Sequence, residues 1–335
     1  MVRNRENQRI RMPGERPRNR RRPPFHDSVR PVRAMRRRRS YQRRGVNRRG
    51  CAFFVVSLLI LIFAVGYFFF GDRFFSGDNL IAGDGEIIVS FLDVGQGDSI
   101  VIRSNTHAVL IDGGGRQTQS VVMNYLRDAG ITRLDYVVAT HPHSDHIGGL
   151  ITVLGRMEVG TLLMPDVTHN TDTFRDFLMA IENNDVDVMF PVPGENIRAG
   201  IIDLLMVAPP ENFYNDDDLN NHSIVLRMAH GQTSFLFTGD AEAASEQQML
   251  LGGMNLSADV LKVGHHGSRT STTEAFLQAV NPTYAVIQVG AGNQFGHPHS
   301  EVIDRLHIHG VTILRNDTHG TIRMITNGRE IRAYD

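Results

Sequence analysis

The run Thr140-His141-Pro142-His143-Ser144-Asp145-His146 sets three imidazoles and a carboxylate within a few residues of one another. Imidazole nitrogen with carboxylate oxygen is a donor set that suits Zn²⁺ or Mn²⁺. An apolar stretch, 135–140, precedes the run and reads as a buried strand. A strand that ends in such a loop can present all four donors over a sheet edge. Gly148 and Gly149 let the following helix start lie close. Histidines that only capped a helix would not need four donors so tightly spaced. More donors follow at the ends of later apolar runs. Asp240 closes Ser234-Phe-Leu-Phe-Thr-Gly-Asp240, where an aspartate can bridge two metals or cap the next helix. The segment 261–268 reads Leu-Lys-Val-Gly-His-His-Gly-Ser and carries Lys262, His265 and His266. His297 and His299 stand in Gly296-His-Pro-His299. Two divalent metals about 3.5–4 Å apart lower the pKa of a shared water and clamp both oxygens of a displacement, which suits phosphodiesters.

Those donors need a frame, and the pattern of the chain supplies one. Short β-branched runs between turn residues predict strands at 86–92, 98–103, 107–113 and 135–140. The second half predicts strands at 202–208, 223–229, 233–238, 258–263, 283–289, 311–315 and 321–326. Helical spacing predicts helices at 118–129, 146–155, 172–184, 241–252, 272–280 and 300–309. Each half starts strand-rich and then alternates strand with helix. The economical α/β (α+β) architecture is two sheets packed face to face with helices outside. Gly113-Gly114-Gly115 follows a strand, but no G-x-G-x-x-G opens the next helix, and there is no P-loop, so nucleotide-binding α/β readings fail.

The charge is divided along the chain. Residues 1–50 hold 19 arginines against three acids, a net +16, while the remaining 285 hold 16 bases against 33 acids, a net −17. An Arg- and Pro-rich segment with almost no aliphatics cannot bury a core and is expected to be a disordered tail. Ala52 to Phe70 is an uncharged run of 19 residues. As a helix it spans roughly 28 Å, about the thickness of a bilayer core. The run is longer than the apolar core of a signal peptide and no A-x-A site follows it. The arginines before it predict a cytoplasmic N-terminus and an extracytoplasmic body. The expected organisation is therefore a basic cytoplasmic tail (1–50), a single-pass anchor in membrane lipid (51–71), a linker (72–85) and a catalytic body (86–335). The single cysteine, Cys51, excludes an intramolecular disulfide framework and Cys-rich zinc modules.

H-x-H-x-D-H followed by Gly-Gly is the signature of the metallo-β-lactamase superfamily. Phe91-Leu-Asp-Val-Gly-Gln-Gly-Asp98, Leu110-Ile-Asp-Gly-Gly114, Asn220-Asn-His-Ser223, Thr238-Gly-Asp240, the 261–268 segment and Gly296-His-Pro-His299 further resemble the C-terminal hydrolase domain of the competence protein ComEC/Rec2. The resemblance covers about residues 86–330 and leaves out 1–70. It implies an αββα metallo-β-lactamase sandwich with two divalent metal ions, Zn or Mn, at the sheet edges. By that resemblance His141 and His143 bind the first metal, Asp145 and His146 the second, and Asp240 bridges them. Two patterns compete for the remaining ligands. Ordinary members take the third histidine of the first site before the bridging aspartate, which points to His222. Related phosphorylcholine esterases take it afterwards, which makes His266 complete the first site and His297 the second. The second pattern is favoured, because both fall in Gly-flanked motifs at strand ends. His222 is then a neighbour of the ligands or a substrate contact, with Asn221, Ser223 and Ser268 beside it.

Asp112 is expected to orient the ligand loop, and Asp98 to do the same or to serve a turn. Lys262 is the only lysine in a chain with 34 arginines, which suggests a point charge for a developing phosphoryl oxyanion. Catalytic roles are thus expected for Asp145, Lys262 and His265, the last as a general acid. The expected function is extracytoplasmic, metal-dependent phosphodiester hydrolysis, with DNA the implied substrate. The alternatives are a hydrolase of a cell-wall phosphodiester, ester or lactone, or a non-catalytic metal-binding part of a DNA-uptake assembly.

Overall fold

A computed structural model describes residues 82–210 and 218–334. The expected tail, anchor and most of the linker lie outside the described residues. Among those residues, no helix is long and apolar enough to cross a membrane.

Fifteen described strands form two sheets. The first has eight strands and the second seven. In the first sheet β1 (Ile87–Phe91), β2 (Ile100–Arg103) and β3 (Ala108–Ile111) form an antiparallel meander. β4 (Arg133–Val138), β5 (Glu158–Leu163) and β6 (Val188–Met189) then add parallel to β3. The second sheet mirrors the plan. β7 (Asn196–Ala199), β8 (Ile202–Ala208), β9 (Val225–His230) and β10 (Thr233–Phe237) are antiparallel. β11 (Val260–Lys262), β12 (Tyr284–Ile287) and β13 (Thr312–Arg315) continue parallel to β10. The chain then crosses back, and β14 (Ile322–Thr326) and β15 (Ile331–Tyr334) close the edge of the first sheet.

Period-two alternation divides the central strands between two cores. Ile87, Val89, Phe91, Ile102 and Val109 face Phe235, Phe237, Val260 and Val286 between the sheets. The intervening Val101, Leu110 and Val137 meet the helices Gln119–Asp128, Leu150–Arg156 and Asp172–Asn183 on the outer face. Leu236, Leu261 and Ala285 meet Ala243–Gly252, Glu274–Val280 and Ser300–Ile308 on the other. Strands buried on both faces read as continuous apolar runs, as parallel α/β sheets do. The layers are helix, sheet, sheet, helix.

The expected helix 146–155 is two pieces, Ser144–Ile147 and Leu150–Arg156. The break has a cause: His146 O accepts from Gly113 N at 2.8 Å and Gly149 N donates to Gly114 O at 2.9 Å, so both backbone groups serve the loop after β3. A side chain at Gly149 would put its Cβ 2.0 Å from Gly113 O. The strands β5, β6, β7 and β15 carried no readable pattern, being short or interrupted by polar residues.

Candidate metal centre

The candidate ligands come from the carboxyl ends of strands in both sheets, where open parallel sheets place their ligands. Asp112 follows β3, the His141–His146 loop follows β4, Asp240 follows β10, and His265 and His266 follow β11. The centre gathers on Oδ2 of Asp240. His146 Nε2 lies 3.2 Å from it, His266 Nε2 3.4 Å, His141 Nε2 3.8 Å and His265 Nε2 3.8 Å. Asp145 Oδ2 stands 3.4 Å from His266 Nε2 and 4.0 Å from His146 Nε2.

Hydrogen bonds fix which imidazole nitrogen faces inward. His146 Nδ1 donates to Asp112 Oδ2 at 2.8 Å. That carboxylate also accepts from Thr140 N at 2.8 Å and Thr140 Oγ1 at 2.7 Å. His266 Nδ1 donates to the Gln288 carbonyl at 2.9 Å, and Gln288 is held by Leu92 O and Ser99 O. His141 Nδ1 meets Thr140 Oγ1 at 3.1 Å. Each outer bond leaves an Nε2 lone pair turned to the centre, the usual arrangement of a metal-binding histidine. The backbone contributes too. His265, His266 and Gly267 adopt φ of 45°, 54° and 82°, a left-handed turn that aims both imidazoles back over the strand end. Strain at non-glycine residues of this kind costs on the order of 1–3 kcal/mol each and persists where the surroundings impose it.

The electrostatics show a site short of positive charge. Burial disfavours charge on Asp240, but the His146 and His266 imidazoles outweigh it and hold the carboxyl well below its ordinary range. Burial also opposes charge on His146 and His266, yet Asp240 and the carboxylates around them raise both well above the ordinary histidine value. His141 moves the other way, lowered well below it by burial and then by His146, and stays neutral, as a ligand must be.

Several observations fit bound divalent cations. His146 Nε2, His266 Nε2 and Asp240 Oδ1 are buried and have no hydrogen-bond partner. Leaving such groups unsatisfied is costly. His141 Nε2 and His143 Nδ1 face one another at 3.0 Å. Candidate ligand atoms lie within 4.8 Å of one another in the sets His141–His146–Asp240, Asp145–His146–His266 and Asp98–Asp240–His266.

The placement differs from the sequence expectation in three respects. His266 groups with Asp145 and His146 rather than with His141 and His143, because the left-handed turn carries its Nε2 across to Asp145. His297 is in none of these sets among the described residues; neither is His143, but its Nδ1 meets the group at His141 Nε2, 3.0 Å away. Its backbone is tied to Asn293, and its ring sits 5.4 Å from His265 and 6.3 Å from His266. Burial, with His265 and His266, pushes its pKa down to about 4. His222 ends the short helix Leu219–His222 and is likewise in none of the sets.

The third difference is Lys262. Its side chain is fully buried, Nζ donates to Gly239 O at 2.7 Å and pairs closely with Asp98, and Asp240 Oδ1 lies 3.7 Å away. The ammonium is a strut beneath the centre and is not offered to a substrate. The strand pattern carried this signal: Val260 and Lys262 share the inter-sheet face of β11 while Leu261 faces the helices.

The remaining motif residues hold the frame. Asn221 Oδ1 accepts from Glu242 N at 3.2 Å and Ser245 N at 3.1 Å. Ser223 Oγ accepts from Asp240 N at 3.0 Å. Ser268 Oγ bonds Thr270 Oγ1 at 2.9 Å. No motif in the sequence pattern singles out Glu242. Its Oε1 accepts from His265 Nδ1 at 2.7 Å, Thr270 Oγ1 at 2.9 Å and Asn220 Nδ2 at 3.2 Å. The one available signal was its position two residues after Asp240, in the same turn.

Residues 92–290 match the metallo-beta-lactamase superfamily. The chain belongs to that superfamily. It resembles ComEC/Rec2 proteins in particular. It is 33% identical over 253 residues to ComE operon protein 3 of Bacillus subtilis (strain 168), covering 70% of this chain and 32% of that protein. To Recombination protein 2 of Haemophilus influenzae it is 32% identical over 243 residues, covering 70% of this chain and 28% of the relative. The chain thus spans about a third of the length of the curated relatives it matches. Among solved structures, the metallo-beta-lactamase fold protein YhfI of Bacillus subtilis matches with a TM-score of 0.47 and 11% identity, over 74% of this chain and 100% of that one.

Proposed function

We propose that this superfamily member is a metal-dependent phosphodiesterase that cleaves DNA, held at the cell membrane by residues 51–71 with its hydrolase body outside. The observation that carries the reading is the convergence of four imidazole nitrogens within 3.8 Å of one carboxylate oxygen of Asp240. His141, His143, Asp145, His146, Asp240 and His266 would hold two divalent cations, Zn or Mn. When bound, such a pair lowers the pKa of a water and neutralises charge on a phosphoryl group. The chain's own residues do the rest. Asp112 and Gln288 keep the ligand imidazoles oriented, and the Lys262–Asp98 pair seats Asp240. His265 turns Nε2 toward the centre while Glu242 holds Nδ1, so a proton for the leaving oxygen would come from that ring. Similarity to competence and recombination proteins supports DNA as the substrate.

The test is hydrolysis of single-stranded DNA and of bis-p-nitrophenyl phosphate by the full chain with Zn²⁺ or Mn²⁺. Activity should vanish with a chelator and in Asp240→Asn. Cleavage of esters or lactones but of no phosphodiester would refute the reading. Metal binding with no turnover of any substrate would favour a non-catalytic component. The topology is tested separately: external protease on intact cells should remove the body, and its protection would overturn the orientation.

A further inference from the structure

Phe295 lies beside the metal centre on a loop with unusual internal order. Asn293 organises it. Its Nδ2 donates to Gly290 O at 3.0 Å and His297 O at 2.6 Å, and its Oδ1 accepts from Phe295 N and His297 N, both at 3.1 Å. The loop therefore holds Phe295 and His297 in one arrangement. Their rings are close to parallel, 25° apart with centroids 5.7 Å apart. His297 in turn touches His265 and His266, so Phe295 stands one ring outward from the candidate ligands. It is 53% exposed, whereas Phe91, Phe177, Phe235, Phe237 and Phe276 are buried. A lone exposed apolar residue needs no explanation. An ordered, ring-backed aromatic face at the rim of a candidate phosphodiesterase centre does.

We infer that Phe295, backed by His297, is the platform on which a nucleobase adjoining the scissile phosphate stacks. The inference rests on the phosphodiesterase reading and names its substrate class as single-stranded nucleic acid. Charge favours this source of binding. Residues 51–335 carry a net −17 and only one lysine, which is buried, so this body is poorly equipped to hold a polyanion through its backbone. Stacking needs no such charge and accepts any base. Phe190, half-exposed as well, follows β6 at the edge of the first sheet and has no comparable ring contact with the histidine cluster among the described residues.

The experiment compares a short thymidine oligomer with an abasic oligomer of the same length, on the full chain. The basic tail meets the same phosphates in both, so it cancels in the ratio. Affinity is read without metal, and KM with it. The wild-type chain should prefer the oligomer with bases by roughly ten- to a hundred-fold, the worth of a base–aromatic stack. Phe295→Ala should abolish the preference and leave the abasic oligomer unaffected, while Phe295→Trp should keep it. No preference in the wild type, or equal weakening on both oligomers, overturns the inference. If the wild type binds with the preference but cleaves neither oligomer, the platform stands and the phosphodiesterase reading falls.

Discussion

Replacing Lys262 by methionine separates a strut from a catalytic cation. The side chain is fully buried and ties Gly239 O, Asp98 and Asp240 together. Methionine has a similar length and no charge, so the space stays filled. What is lost is the only ammonium facing Asp98, whose carboxylate is 2% exposed and whose other cationic neighbour is His266, with Nδ1 3.3 Å from Asp98 Oδ1. Removing one partner of a buried ion pair costs about 3–5 kcal/mol when the other charge is left uncompensated, and the His266 imidazole beside Asp98 puts this pair at the low end of that range. For a body of this size each kcal/mol moves Tm by roughly 2–4 °C. The metal-free Lys262→Met chain should therefore melt roughly 6–12 °C lower than the metal-free wild type. Divalent cations should recover part of that loss, since the centre is now one unit more negative and cation binding stabilises the folded state by mass action. Lys262→Arg should also melt low, since no solvent-facing space is open to its larger fork. Thermal unfolding with chelator and with Zn²⁺ reads the effect, alongside steady-state kinetics. An unchanged metal-free Tm with kcat down by about 10²–10³ would refute the reasoning and return Lys262 to the role of oxyanion donor.

Three other outcomes follow from the same geometry. Elemental analysis should find less bound metal in Asp240→Asn and His266→Ala, and unchanged metal in His222→Ala and His297→Ala; the reverse order would show that the ligand sets are differently composed. In the metal-free chain the raised pKa values of His146 and His266 add stability that is fully present below their unfolded pKa of about 6.5. That stability is lost as pH rises through the raised values. Denaturant melts without metal should weaken over that alkaline range, and a flat profile there would contradict the assignment. Gly149→Ala should destabilise by about 3 kcal/mol, since its Cβ would sit 2.0 Å from Gly113 O, while Gly155→Ala, with nothing within 4 Å, should stabilise by up to ~1 kcal/mol. Equal Tm values for the two variants would show that the loop yields.

The legible parts of this protein are those written in contiguous sequence. Runs such as Ile87–Phe91 and Phe235-Leu236-Phe237 announce strands because both faces are buried. The donors at 141–146, 240 and 265–266 were visible because each cluster ends such a run. What could not be read is where separate loops meet in space. Glu242 and His265 are 23 residues apart in sequence and meet only because β10 and β11 are parallel neighbours whose ends lie side by side. The pairing of His266 with Asp145 depends on three successive left-handed residues, two of them histidines, and nothing in the letters requires that conformation. β6, with two residues, is too short to show any alternation.

Lys262 shows why residue type alone misled. A unique lysine near a row of histidines looks like a catalytic charge, and rarity drew that expectation. Position decides otherwise. It shares the inter-sheet face of β11 with Val260, so its stem enters the core and its ammonium stops beneath Asp240. Asp98, Asp112 and Asp240 are buried in that region, and Asp145 stands a third exposed at its edge. One ammonium cannot balance four carboxylates. In the metal-free chain the remaining charge falls to His146 and His266, whose protonation would occupy the nitrogens that face Asp240. Divalent cations resolve the conflict by supplying the positive charge and freeing both imidazoles to act as ligands, so metal binding and proton release at this centre should be linked.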